Sequence, residues 1–421
     1  MLARLFGDSK APARPAPPDH LSTTFDAITS EQRSSARTLP SKGNVVAGGK
    51  SEAAPQRIAA IDILRLLAAV YVLVFHVAAV AGIPKHVLPP FELLGRAFTG
   101  IPSPFSLGAT GVSLFFVISG YCMYRSLASR PRAVGAYFRD RFARIYPVYA
   151  IAVLGSYLAC RLLGVQIDLI DIPIKLLFLQ GFVQQHHLTL NGAFWSMATE
   201  VQFYLTLPWL FQLGRRIGLD RLALLSLLIA LAFRFFVDWE WDGQPPIAGI
   251  VKSTFLMNLL PGRIVEFAIG MWIAGTPMNR ANLLAHWLIV PAGAVAFGTK
   301  MFGPAPLAEP LLGIFFGCVL VLALQHARMF GKSTSVFAVL GRASYALFLT
   351  HLPIALLVAV LLPEQLGLYE RFCYLLLATL AGGIPISLAL YGWIEMPLFR
   401  RLRKKGVARV ASAEIGDGGA P

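Results

Sequence analysis

The stretch RIAAIDILRLLAAVYVLVFHVAAVAG, residues 57–82, limits what this chain can fold into more than any other. It is long and apolar enough to cross a bilayer as a helix, which takes about 20 residues. Yet it carries Asp62 and Arg65 near its start and His76 well inside. Eleven positions separate Arg65 from His76. At about 100° per residue both side chains fall on one face of the helix, about 16 Å apart along its axis. An ionisable group in the hydrocarbon core costs roughly 3 kcal/mol or more, so it marks a functional site by default.

The rest of the chain has the same character. Of its 421 residues 56% are hydrophobic and 14% charged, with a mean hydropathy of +0.63, a profile that belongs to a polytopic membrane protein rather than a soluble domain. The formal net charge of +15 sits in tails and alternate loops, the distribution of topology determinants, and so points away from nucleic acid. Cys122, Cys160, Cys318 and Cys373 are scattered singly through apolar runs, with no spacing that suggests a disulfide framework or a metal site.

Ten membrane helices are expected, at about 59–82, 106–126, 146–164, 194–213, 220–237, 254–275, 285–302, 308–326, 336–362 and 372–396. A shorter apolar run at about 172–183 reads as re-entrant or interfacial. Arginines cluster after the second helix (Arg125, Arg130, Arg132, Arg139, Arg141, Arg144) and at the C-terminus (Arg400, Arg401, Arg403, Lys404, Lys405). Since positive residues stay inside, the expectation is an all-α polytopic bundle with both termini cytosolic. It comprises a disordered cytosolic tail over 1–56, a transmembrane domain over 57–400 and a basic disordered tail over 401–421.

That orientation assigns depths. Arg65 lies near the cytosolic face and His76 in the outer half, while Glu200, in AFWSMATEVQFYL, sits about 9 Å below the outer end of the fourth helix. His76 and Glu200 are therefore at matched depth and candidates to share a cavity; Glu200 could equally neutralise another buried polar group. Imidazole is the usual side chain for taking a proton from a hydroxyl near neutral pH. In FRDRFARIYPVY, which is expected to open the third helix with Pro147 in its early turn, Arg141 and Arg144 are one turn apart and could grip phosphate or simply fix topology. Arg263 and Glu266 read as a local ion pair in the sixth helix, His351 lies near the midplane of the ninth, and Glu395 could pair with an arginine. The adjacent loop histidines His186 and His187 carry little information.

The ordered series of segments resembles the acyltransferase-3 family of integral membrane acyltransferases. Arg65 and His76 match its R-x10-H, and GVSLFFVISGY (111–121) is similar to its second-helix signature. RFAR (141–144) followed by IYP matches its R-x-x-R block, and WSMATEVQFYL (195–205), SYALFLTH and YGWIEMP match later blocks. The resemblance spans about residues 57–400. It implies transfer of an acyl group, most often acetyl from acetyl-CoA, to a hydroxyl of a cell-envelope or secreted glycan or glycolipid, at a bacterial inner membrane and with no permanently bound cofactor. His76 would be the catalytic base and Glu200 its orienting or acceptor-binding partner. Arg65, Arg141 and Arg144 would hold the acyl-CoA, and Ser119, Trp195, Tyr204, Arg263 and His351 would be contacts for the substrate. The chain departs from the pattern at Ser113, where many relatives carry an acid, and at Val201, where a second Glu often follows the first. The competing function classes are a transporter or flippase using the same ionisable groups as a relay and a catalytically inactive sensor.

Overall fold

The computed structural model describes residues 53–88, 91–93, 96–98, 101–129, 134–241, 252–302, 305–330 and 335–402. The N-terminal tail before residue 53 and the basic tail after residue 402 lie outside the described residues.

All ten expected helices are present. In chain order they and the short helices between them are α1 (Ala53–Ala81), α2 (Gly111–Ala128), α3 (Val134–Leu162), the short α4 (Asp171–Leu176), α5 (Trp195–Ile217) and α6 (Leu219–Trp241). Then come the short α7 (Lys252–Met257), α8 (Leu260–Gly275), α9 (Met278–Phe302), α10 (Ala305–Gln325), α11 (Val336–Ala359) and α12 (Leu368–Ala389). α12 runs on through a π-helical turn at Leu390–Glu395. Two short antiparallel ladders between α1 and α2, His86–Leu88 with Ile101–Pro102 and Phe91–Leu93 with Arg96–Phe98, were not foreseen.

Among the described residues nine helical stretches are long and apolar enough to cross a membrane. α5, the tenth expected helix, is long enough but too polar to be picked out by composition. Its course shows why. Phe116 packs on Trp195, Ser119 bonds Glu200, and Tyr124 packs on Phe211, so α5 runs parallel to the membrane helix α2. A tight turn at Gly218, φ 88°, then reverses the chain into α6. The polar groups of α5 face protein: Thr199 Oγ1 donates to the Asn258 carbonyl (2.6 Å) and Gln202 Oε1 accepts from Leu260 N (3.0 Å). Those are backbone groups freed where the span α7–α8 breaks ahead of Pro261, and in a bilayer they must find protein partners.

α3 begins a full twelve residues earlier than expected. The run before Pro147 is helical, so Pro147 lies inside the helix rather than in its first turn. Loss of one backbone bond there is tolerated within a packed bundle. Arg141 and Arg144, expected one turn apart where the third helix opens, lie within it about two to three turns past its start.

The expectation that 172–183 does not span holds: α4 has only six residues and is followed by 3-10 turns. The loop between α3 and α5 is closed by a buried Lys175, whose Nζ donates to the His186 and His187 carbonyls. His186 Nδ1 meets Asp171 Oδ1 at 2.8 Å, and His187 Nδ1 donates to the Gln180 carbonyl at 3.0 Å. Burial pushes the Lys175 ammonium down to about 7, against a partial opposing pull from Asp171.

Helix contacts are closest at small residues. A methyl on Gly120 would lie 2.1 Å from the Phe267 carbonyl oxygen, and one on Gly270 would lie 2.1 Å from that of Val117, so α2 and α8 touch backbone to backbone. A methyl on Gly341 would lie 2.0 Å from the Asp62 carbonyl oxygen, fixing α11 on α1. Further along the same pair, His351 meets His76 with ring centroids 5.0 Å apart, so α1 and α11 also run parallel.

Two outcomes follow. Gly341→Ala should lower stability by about 1–3 kcal/mol through overpacking, read as a reduced thermal midpoint in micelles. For Lys175, the folded chain releases its proton near pH 7 and the unfolded chain near about 10.4. The unfolded chain therefore holds more protons between these values, and stability should rise with pH across that window. Lys175→Met should flatten this rise.

Candidate active site

A cavity of about 810 Å³, its open mouth included, lies among α1, α2, α3, α5 and α11. Arg65, Arg141 and Arg144 line it together with Ser119, Glu200, Tyr204 and Tyr345, and Val112, Phe115, Phe116, Met197 and Phe348 supply apolar walls. A few polar groups converging in an apolar concavity is the usual form of a small-molecule site. The helices that bring them together are those that carry the ordered motifs.

Glu200, Tyr204, Arg141 and Arg144 are each held by neighbours. Glu200 Oε1 accepts from Ser119 Oγ at 3.0 Å and from the Tyr204 hydroxyl one turn along α5. Tyr137 on α3 donates to the Tyr204 carbonyl at 3.1 Å, tying the two helices behind the carboxylate. Arg141 Nη1 contacts Met123 Sδ at 3.1 Å. Arg144 Nε lies 3.5 Å from Glu395 Oε1, which the π-helical turn of α12 presents to it; such turns recur at functional sites. Arg342 and Asp62, 3.5 Å apart, stand at the same end of the bundle. The cavity lining holds three guanidiniums against one carboxylate, a surplus of positive charge suited to an anionic ligand with phosphate groups.

His76 is not among the residues lining this cavity. Its Nδ1 lies 3.0 Å from the Val72 carbonyl and 3.0 Å from Nε2 of His351, whose own Nδ1 lies 3.2 Å from the Leu347 carbonyl. The expected sharing of a cavity by His76 and Glu200 is therefore replaced by two neighbouring sets of groups. Phe348 lies between them, lining the cavity while its ring sits 6.1 Å from that of His351. Phe115 packs on Phe348 with centroids 5.4 Å apart. Equal depth on two helices does not fix the angle at which each side chain points, which is why the sequence could not separate these partners.

The five expected substrate contacts divide. Ser119 and Tyr204 line the cavity. Trp195 and Arg263 lie behind Phe116, with the guanidinium 5.2 Å from the Phe116 centroid and 5.7 Å from that of Trp195. His351 belongs with His76. Arg263 does pair with Glu266, Nε to Oε2 at 2.9 Å, but the pair is part of a larger knot. Glu309 lies 3.9 Å from Arg263, 2.8 Å from Lys300 and in contact with Arg234, a buried arginine that motif reading overlooked. Its signal was present as a lone arginine in the apolar run LALLSLLIALAFRFF. Ser113 accepts from Arg263 Nη2 at 3.2 Å, so the hydroxyl stands at the guanidinium where an acid would have paired with it.

Glu309→Gln would leave Arg234, Arg263 and Lys300 facing Glu266 alone. A loss of about 3–5 kcal/mol is expected, seen as a lower thermal midpoint, because removing one partner strands buried charge.

Acyltransferase MdmB of Streptomyces mycarofaciens is 27% identical over 330 residues, covering 72% of this chain and 84% of that protein. The exopolysaccharide production protein ExoZ of Rhizobium meliloti (strain 1021) is 24% identical over 322 residues, covering 72% of this chain and 93% of that protein. No solved structure matches the chain. The family model described as an acyltransferase domain matches residues 58–392, nearly the whole membrane bundle and every helix that carries the cavity and the histidine pair. This multi-pass integral membrane protein belongs to the acyltransferase-3 family.

Proposed function

We propose that this membrane acyltransferase moves an acyl group, acetyl in the simplest case, from acyl-CoA to a hydroxyl of a cell-envelope or secreted glycan, with His76 as general base, in a bacterial inner membrane. The observation that carries this reading is the convergence of Arg65, Arg141 and Arg144 on one cavity with an apolar far wall. The phosphates of CoA suit the guanidiniums, and its thioester arm suits the apolar wall that includes Phe115 and Phe348. The three guanidiniums stand at the end of the bundle that carries the Arg342–Asp62 and Arg144–Glu395 pairs. Such a positive end belongs in the cytosol, where acyl-CoA is made. The name of ExoZ favours a polysaccharide acceptor.

In this reaction the acceptor hydroxyl gives its proton to His76 as its oxygen attacks the thioester carbonyl. The C–S bond breaks, and His76 returns the proton to the leaving sulfur. Glu200, its Oε1 held by Ser119 and Tyr204, shares the cavity with the guanidiniums and orients the donor.

Membranes given radiolabelled acetyl-CoA and an acceptor glycan should release CoA in proportion to acceptor esterified. His76→Ala should lower kcat by roughly 10²–10⁴-fold with the KM for acetyl-CoA little changed. Arg141→Leu should raise that KM by roughly 10- to 100-fold, the value of a charge-assisted contact. Normal transfer by His76→Ala would discard the base assignment. NMR of surface glycans from the same cells reads the acceptor and the esterified position directly.

A further inference from the structure

The histidine pair contains more information than its distance. A backbone carbonyl can only accept a hydrogen bond, so the nitrogen facing one carries the proton. His351 Nδ1 faces the Leu347 carbonyl at 3.2 Å; in the neutral ring this leaves Nε2 as a lone-pair acceptor. That acceptor points at His76 Nδ1, 3.0 Å away, and His76 Nδ1 also faces the Val72 carbonyl at 3.0 Å. Both neighbours of His76 Nδ1 are acceptors, so the proton of His76 sits on Nδ1 and its Nε2 is left with a free lone pair. Among the described residues nothing hydrogen-bonds that Nε2.

The two acceptors are not equivalent. The Val72 carbonyl already receives the helical bond from His76 N, four residues on, and is a shared partner. The Nε2 of His351 has no other donor. It also comes from a different helix, so it sets the rotation of the ring as well as its tautomer. His351 is fully buried and Phe348 shields it from the cavity.

We infer that His351 is a positioning residue: its Nε2 accepts from His76 Nδ1–H and holds His76 in the tautomer whose Nε2 is free to take a proton from the acceptor hydroxyl. This rests on the general-base reading of His76 and assigns to His351 a role other than contact with substrate. The arrangement is related in logic to hydrolase triads, where the partner of the base sets its tautomer and orientation. Here the partner is a neutral imidazole, which avoids placing a second carboxylate deep in the membrane.

Two variants and one spectrum test it. Leucine at 351 removes the acceptor, whereas glutamine can place an amide oxygen near the position of the imidazole Nε2. His351→Leu should lower kcat by at least about 100-fold, in the range expected for a base held in the wrong tautomer, with the KM for acetyl-CoA unchanged because the guanidinium cavity is intact. His351→Gln should recover kcat to within about fivefold of the wild type. Nitrogen-15 solid-state NMR of histidine-labelled protein in bilayers, with His76→Gln used to identify the resonance, should show His76 as Nδ1–H in the wild type and in His351→Gln. In His351→Leu the Nε2–H form should appear. An Nε2–H signal for His76 in the wild type, full activity in His351→Leu, or glutamine failing as badly as leucine would each overturn the inference. If His76→Gln itself retained turnover, the base reading would fall, while the tautomer spectra would still report whether His351 fixes the ring.

Discussion

Charge inside a bilayer has to be answered by other charge or by hydrogen bonds, and the bundle does this in two different ways. On one side, Arg234, Arg263 and Lys300 surround Glu266 and Glu309, with Ser113 and several backbone carbonyls taking the remaining donors. Arg234 alone donates to the carbonyls of Met257, Gly262, Ala305 and Pro306 and to the Glu309 carboxylate. On the other side, Arg65, Arg141 and Arg144 line open space, with Glu395 paired to Arg144. The first cluster holds α6, α8 and α10 together; the second lines the cavity. Phe116 and Trp195 separate them, covered on one side by the Arg263 guanidinium.

The open cluster depends on the closed one through packing. α2 carries Ser119 into the cavity, and its place is fixed by backbone contact with α8, the helix of Arg263 and Glu266. α5 carries Glu200 and Tyr204 into the cavity while its Thr199 and Gln202 mend the break before α8. A single polar helix therefore supplies both a reactive face and a structural one. That double duty is what depresses its apolar content below that of the other spans.

Much of this was legible in the chain. The ordered blocks around Arg65, Ser119, Arg141, Arg144, Glu200 and Tyr204 converge on one cavity, and the pairing of Arg263 with Glu266 follows from their spacing of three. Glu395 finds its arginine in Arg144. What could not be read was lateral position. Periodicity gives height along a helix and a face relative to that helix, but which face meets which neighbour is set by bundle packing. The partner of His76 turned out to be 275 residues away on α11, not on α5. The start of α3 was missed for a related reason: an arginine-rich stretch looks like a loop until its long side chains are given a cavity to enter.

The paired rings of Phe115 and Phe348 also bear on the membrane as an insulator. An unbroken file of water and polar groups from the arginines to the imidazoles would be a wire for protons, each driven by about 2.3 kcal/mol per 100 mV of potential. The two rings, edge to face at 65°, put hydrocarbon between the arginines and the imidazoles and break that wire. Hydrocarbon there offers a hydrated proton no group to hold it, so ionisable residues on both sides can sit inside the bundle while the bilayer keeps its voltage.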